Sequence, residues 1–150
     1  MTSRRKVRVF LDTNVIFSGL YSSRGAPAAI LERFIEGRIS VVISQQVLEE
    51  VVRTIKEKLP EGLPALRRLL TGGPPEIQTD PSSEQIEKLA GKLQFADAAI
   101  LAAAINARVG YLITGDSHFL GNPDITKECG IKIITPAELL KRLVKVAKEE

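Results

Sequence analysis

The sequence predicts an α/β domain with a parallel sheet, and three patterns carry that expectation. Short β-branched runs alternate with segments whose apolar residues recur at helical spacing, the arrangement of strands joined by crossover helices. The first run, Lys6 to Leu11, is apolar on both faces, as a central strand covered by helices requires. Aspartates stand just beyond two of the runs, at the strand ends where such sheets take their ligands. At 150 residues the chain is expected to form one domain, 1–150.

In the first strand Val7, Val9 and Leu11 alternate and Phe10 fills the other face. Asp12-Thr13-Asn14 then ends the strand and suits the cap of a following helix. Ala28 to Glu36 reads as a helix entered through Pro27, with Ile30 above Phe34 and Leu31 above Ile35. Gly37 stops it, and Ile39 to Ile43 is the second strand. Ser44 caps a helix running to about Lys58, whose inner side carries Val47, Leu48, Val51, Val52 and Ile55. A short helix between Leu59 and Gly73 precedes a strand around Ile77. Helices are expected over Ser83 to Lys92 and Asp97 to Arg108, and strands over Tyr111 to Thr114 and Ile131 to Ile134. Pro136 opens a final amphipathic helix with Leu139, Leu140, Leu143 and Val144 on one side.

Composition narrows the function classes. The chain is 44% hydrophobic and 26% charged, as in ordinary globular proteins. Cys129 is the single cysteine, which excludes an internal disulfide and a thiolate metal cluster. No apolar run is long enough to span a bilayer and none follows the basic N-terminus as an export signal would, so a cytoplasmic protein is expected. The net charge is +3. Setting four candidate site acids aside from the 18 leaves 14 against 21 basic residues, a balance of +7. A basic body around an acidic pocket suits a polyanion, although surface solvation accounts for most lysines and arginines.

The four acids are Asp12, Glu50, Asp97 and Asp116. Asp12 follows the first strand, and Asp116 follows the Tyr111–Thr114 strand across Gly115, so both reach one rim if those strands are neighbours. Glu50 lies in the helix after the second strand, and Asp97 in the first turn of a very apolar helix. Converging carboxylates raise one another's pKa values unless a cation neutralises them. Mg²⁺ and Mn²⁺ take such oxygen ligands and serve phosphodiester hydrolysis. The competing reading assigns Asp12 and Asp116 to turns, Asp97 to a cap and Glu50 to a solvated face.

Leu11-Asp12-Thr13-Asn14-Val15-Ile16, the Ser44 to Glu50 segment, Asp97-Ala98-Ala99 and Thr114-Gly115-Asp116 together resemble the PIN-domain ribonuclease family. The Gly37–Ile43 turn and strand and the late Ile133-Ile134-Thr135-Pro136-Ala137-Glu138 segment extend the match over nearly the whole chain. The resemblance implies a three-layer fold with a parallel five-stranded sheet ordered 3-2-1-4-5. It also implies that Asp12, Glu50, Asp97 and Asp116 hold Mg²⁺ or Mn²⁺ for RNA cleavage. Asn14 resembles the residue that supports the first acid, and Thr114 or Ser117 the residue that positions water or phosphate. Ordinary turn and strand-end hydrogen bonding is the competing account of all three, and the better one for Ser117. His118 stands where many relatives carry another acid. It lowers the local negative charge, weakens a second metal position, or supplies a base or a phosphate contact; packing within its loop or support of a neighbouring ligand is the competing and favoured account.

The subgroup resembled is the toxin component of prokaryotic toxin–antitoxin modules, which implies an antitoxin partner and a homodimer. Glu49 rivals Glu50, because neighbours in a helix point about 100° apart and only one enters a small site. Arg24, Arg67, Arg68 and the Arg4-Arg5-Lys6 run are candidate RNA contacts, and Tyr21 or Phe119 a candidate stacking surface. The alternatives left open are a phosphatase, a DNA-directed nuclease, and a non-catalytic RNA-binding or partner-binding module.

Overall fold

The computed structural model describes residues 6–91 and 93–148. Arg4 and Arg5 of the basic run, and Lys92 at the expected end of the Ser83 helix, lie outside the described residues. The chain begins with β1 (Val7–Leu11), α1 (Thr13–Tyr21), α2 (Ala26–Ile35), β2 (Ile39–Ser44) and α3 (Gln45–Lys58). A 3₁₀ turn (Pro60–Gly62) leads to α4 (Leu63–Thr71), β3 (Glu76–Gln78), α5 (Ser83–Leu89) and α6 (Phe95–Asn106). The last third holds β4 (Tyr111–Ile113), α7 (Ser117–Leu120), α8 (Pro123–Cys129), β5 (Lys132–Ile134) and α9 (Pro136–Lys148).

The strands form a five-stranded sheet in the order β3-β2-β1-β4-β5, with every pairing parallel. The expected architecture is therefore present. Leu11, Val41 and Ile43 on one face meet Ile16 of α1, Phe34 of α2, Val51 of α3 and Leu66 of α4. Alternation turns Phe10 and Val42 to the other face, where α6 packs across the sheet and α5 lies against α6. Helices thus cover both faces, which is why β1 and β2 are almost continuously buried.

Helix α6 is buried on every side from Ala98 to Ala104, and five of those seven residues are alanines. Small side chains let the helix axis approach the strands closely, and that approach sets the depth of the first turn carrying Asp97. At the opposite end of the sheet, Arg8 of β1 donates to the Ala107 carbonyl (3.3 and 3.0 Å) and pairs with Glu76 of β3. Gly37 adopts φ 78°, a left-handed conformation that glycine takes without a Cβ clash, and so turns the chain from α2 into β2.

Several boundaries differ from expectation for local reasons. Helix α5 ends at Leu89, three residues early, after a start fixed by a capping box between Ser82 and Gln85. Helix α6 starts two residues early, so Asp97 occupies the first turn while Gln94 is the N-cap. The sequence assigned no element between Asp116 and Ile131, yet α7 and α8 lie there. With four and seven residues they are too short for helical periodicity to register.

Ala103→Leu should overfill the space between α6 and the sheet. A loss of about 1–3 kcal/mol is expected by urea denaturation, and undiminished stability would show that α6 is not held by close packing.

Candidate metal centre

The chain leaves β1 toward β2 and β3, then returns through α5 and α6 to place β4 on the other flank of β1. The reversal point therefore lies between β1 and β4, and a crevice at their carboxyl ends follows from it. Leu11 pairs with Ile113, so the next residues, Asp12 and Thr114, stand side by side. The Asp12 amide continues the ladder by donating to the Ile113 carbonyl (3.0 Å).

Asp12 is 5% exposed, an unusual depth for a carboxylate. Its Oδ1 accepts from the Thr13 amide (2.7 Å) and caps α1, while Oδ2 accepts from Thr114 Oγ1 (2.7 Å). Thr114 is itself fully buried, and its hydroxyl oxygen accepts from the Asp116 amide (3.0 Å). One hydroxyl thus joins the two aspartates that follow β1 and β4. Burial raises the Asp12 pKa above the ordinary carboxylate value. The Thr114 and Thr13 hydrogen bonds oppose the rise, and the charges of Asp116 and Asp97 add to it.

Asp116 caps α7, accepting from the His118 amide at Oδ1 (2.8 Å). That turn brings the His118 ring back over the acids. Its Nδ1 lies 3.2 Å from Asp97 Oδ2 and 3.4 Å from Asp116 Oδ1. Asp97, Asp116 and His118 each offer a ligand atom, all within 4.8 Å of one another. Donors at adjacent corners of an octahedron with bonds of about 2.1 Å stand about 3 Å apart. The donor set and its spacing therefore fit a divalent cation.

Glu50 reaches this rim one step removed. Its Oε2 accepts from Thr13 Oγ1 (2.8 Å), and its Oε1 accepts from Gln46 Nε2 (3.2 Å). Thr13 therefore links Glu50 to Asp12, donating its hydroxyl to one and its amide to the other. Glu49 is exposed, takes a hydrogen bond from Gln45 (3.2 Å), and lines an outer groove with Arg53 and Lys56. The geometry thus separates the two glutamates that numbering could not.

Other candidates fall differently. Asn14 is exposed, and the bonds that hold Asp12 come from Thr13 and Thr114. Thr114, expected to position water or phosphate, here holds Asp12 and the Asp116 backbone. Ser117 is exposed at the start of α7. Phe119 is 1% exposed in the core, which removes it as a stacking surface. Tyr21 is 67% exposed and stacks on Phe17, with centroids 5.9 Å apart. Arg24 is exposed after α1; Arg67 and Arg68 are exposed on α4, beside Val52. Among the described residues none of these three has an ion pair with the acids.

Sequence reasoning missed Thr13, Gln46 and Asp80. Asp80 Oδ1 accepts from the Gln46 amide (2.9 Å) and so steadies the first turn of α3 beside Ser44, which accepts from Val47 (3.2 Å). For Gln46 a signal existed in its position four residues before Glu50. For Asp80, 34 positions away from its partner, no local signal exists.

The PIN domain family model matches residues 8–118, from β1 to His118. The chain belongs to the PIN domain family. Among solved structures, this PIN domain resembles PAE2754 from Pyrobaculum aerophilum, with 21% identity and a TM-score of 0.63 over 93% of this chain and 90% of that one. It also resembles VapBC2 from Rickettsia felis bound to a DNA fragment from their promoter, with 19% identity and a TM-score of 0.61 over 86% and 98%. FitAcB from Neisseria gonorrhoeae gives 20% identity and a TM-score of 0.56 over 85% and 97%. At these identities the likeness is one of fold. A search of curated proteins returned no match. No helix among the described residues is long and apolar enough to cross a membrane.

Two outcomes test the hydrogen-bonded frame without divalent ions. Because the folded Asp12 pKa is raised, ionising it weakens the native state. The stability it contributes is complete below the unfolded value of about 3.9 and is lost as pH rises through the folded value. Wild type should therefore fall progressively behind D12N in urea denaturation across that window, and a constant difference between pH 4 and 8 would refute the buried-charge account. Thr114→Val keeps the shape but removes the hydroxyl from Asp12 and Asp116. It should cost about 1–3 kcal/mol, and Thr114→Ser should restore most of the loss.

Proposed function

We propose that this PIN domain is an Mg²⁺- or Mn²⁺-dependent endoribonuclease that cleaves single-stranded or structured RNA as the toxin of a toxin–antitoxin pair. The observation that carries the reading is the meeting of Asp97, Asp116 and His118 at the rim of a PIN-family sheet, with Asp12 tied to Asp116 through Thr114. Asp97 and Asp116 are the ligands of the cation, Asp12 backs them with a third carboxylate, and Glu50 closes the rim through Thr13. When bound, the ion supplies Lewis acidity at a phosphoryl oxygen and activation of water. The protein's own contribution is orientation. Thr114 fixes Asp12 against Asp116, and the α7 cap fixes Asp116 against His118.

The exposed Arg24, Arg67 and Arg68 supply phosphate contacts, and the absence of an aromatic-rich motif points to broad, electrostatic binding. The partner is an antitoxin protein. The resemblance to toxin components supports it, and VapBC2 from Rickettsia felis, of similar fold, is bound to a DNA fragment from their promoter. A homodimer rests on the same resemblance. Helix α9 gives it limited support, since Leu139 is fully buried and Leu140 and Leu143 pack on the core, leaving Val144 46% exposed.

Purified protein should cleave single-stranded RNA, but neither DNA nor a small phosphomonoester, only when Mg²⁺ or Mn²⁺ is present. D12N and D116N should each lower single-turnover cleavage at least about 100-fold, or about 2.7 kcal/mol of transition-state stabilisation, with RNA association retained. R67A/R68A should weaken association most at low salt and make it less salt-dependent. Normal turnover by folded D116N would defeat the assignment, and specific RNA binding without turnover would favour a non-catalytic module.

A further inference from the structure

His118 is the chain's only histidine, and its position is more constrained than its exposure suggests. The side chain is 59% exposed, yet Nδ1 points between two carboxylate oxygens from different elements, Asp97 Oδ2 on α6 and Asp116 Oδ1 at the start of α7. Its backbone is held as well, because Asp116 accepts from the His118 amide. Hydrogen bonding to the two acids holds the ring nitrogen at their meeting point, and the same placement suits a shared ion. The separations of 3.2 and 3.4 Å are those of neighbouring donors on one ion, and Glu50, the fourth acid by sequence, is absent from this close group.

We propose that His118 Nδ1 is a direct ligand of the cation and makes the centre selective for a first-row transition ion, with Mn²⁺ as its working representative, over Mg²⁺. The inference rests on the metal-centre reading above and deepens it. Mg²⁺ takes oxygen donors and sheds water reluctantly, so it gains little from an imidazole. Transition ions gain more from nitrogen, and increasingly so from Mn²⁺ toward Ni²⁺ and Cu²⁺. A site with two carboxylates and one imidazole therefore separates ions that an all-carboxylate site treats more alike. Replacing an acid by a neutral ligand also lowers the total negative charge, which weakens the hold on Mg²⁺ further.

The test uses the whole chain with Mn²⁺ and Mg²⁺ as separate probes. Calorimetric titration should give Mn²⁺ an affinity at least about tenfold above that of Mg²⁺. Pulsed electron paramagnetic resonance of bound Mn²⁺ should show a directly coordinated nitrogen. The exposed side chain makes H118Q safe for the fold, which circular dichroism checks. In H118Q the nitrogen coupling should vanish and Mn²⁺ affinity should fall about tenfold or more, while Mg²⁺ affinity changes less than about threefold. H118D should retain metal binding and bring the two ions closer together in affinity. Mn²⁺ that binds without nitrogen coupling, or that is lost in D116N but unaffected by H118Q, would overturn the role of His118 and leave the centre standing. Failure of Mn²⁺ to bind at all would overturn both.

Discussion

The parallel register between β1 and β4 is the constraint on which the site depends. Leu11 opposite Ile113 leaves Asp12 beside Thr114 with no freedom to choose another neighbour. A slip of one residue would turn Asp12 to the opposite face of the sheet and carry the apolar residues of β1 with it. Burial of Val9, Phe10 and Leu11 resists such a slip. The core of the sheet therefore sets the position of the acids at its rim, and the Thr114 hydroxyl converts that register into a bond between chains of residues 102 positions apart.

The electrostatics follow from the same arrangement. Asp12 is held where water cannot solvate it well, and two neighbouring acids make its charge costlier still. The hydrogen bonds from Thr13 and Thr114 offset part of that cost and orient both carboxylate oxygens. A cation would offset more. The electrostatic cost of the Asp12 charge and the suitability of the rim for a divalent ion are therefore two aspects of one arrangement of charge.

Much of this was legible in the sequence. The double-faced apolar run of β1, the Pro27 and Gly37 boundaries of α2, and the position of aspartates beyond strands all reflect short-range physics. The strand order came through resemblance, since periodicity alone does not say which strands are neighbours. What stayed hidden depended on tertiary geometry. Numbering could not choose between Glu49 and Glu50, because their orientation is set by how α3 packs beside α1. It could not show that Thr13 would be the bridge to Glu50, or that Asp80 would brace α3. Helix α7, only four residues long, left no periodic trace, yet it decides where His118 points.

Asp12 and Asp116 each cap the helix that follows them, so each belongs to the folding code as well as to the rim chemistry. A descendant that abandoned catalysis would still be under pressure to keep a short side-chain acceptor at both positions, because losing an N-cap costs about 1 kcal/mol. Aspartate, asparagine or serine there would satisfy the helix whether or not an ion was ever bound. Persistence of these two aspartates in a lineage is thus poor testimony to activity. Asp97 is a sharper witness: it stands inside the first turn of α6 and not at its N-cap, and its carboxylate answers to His118.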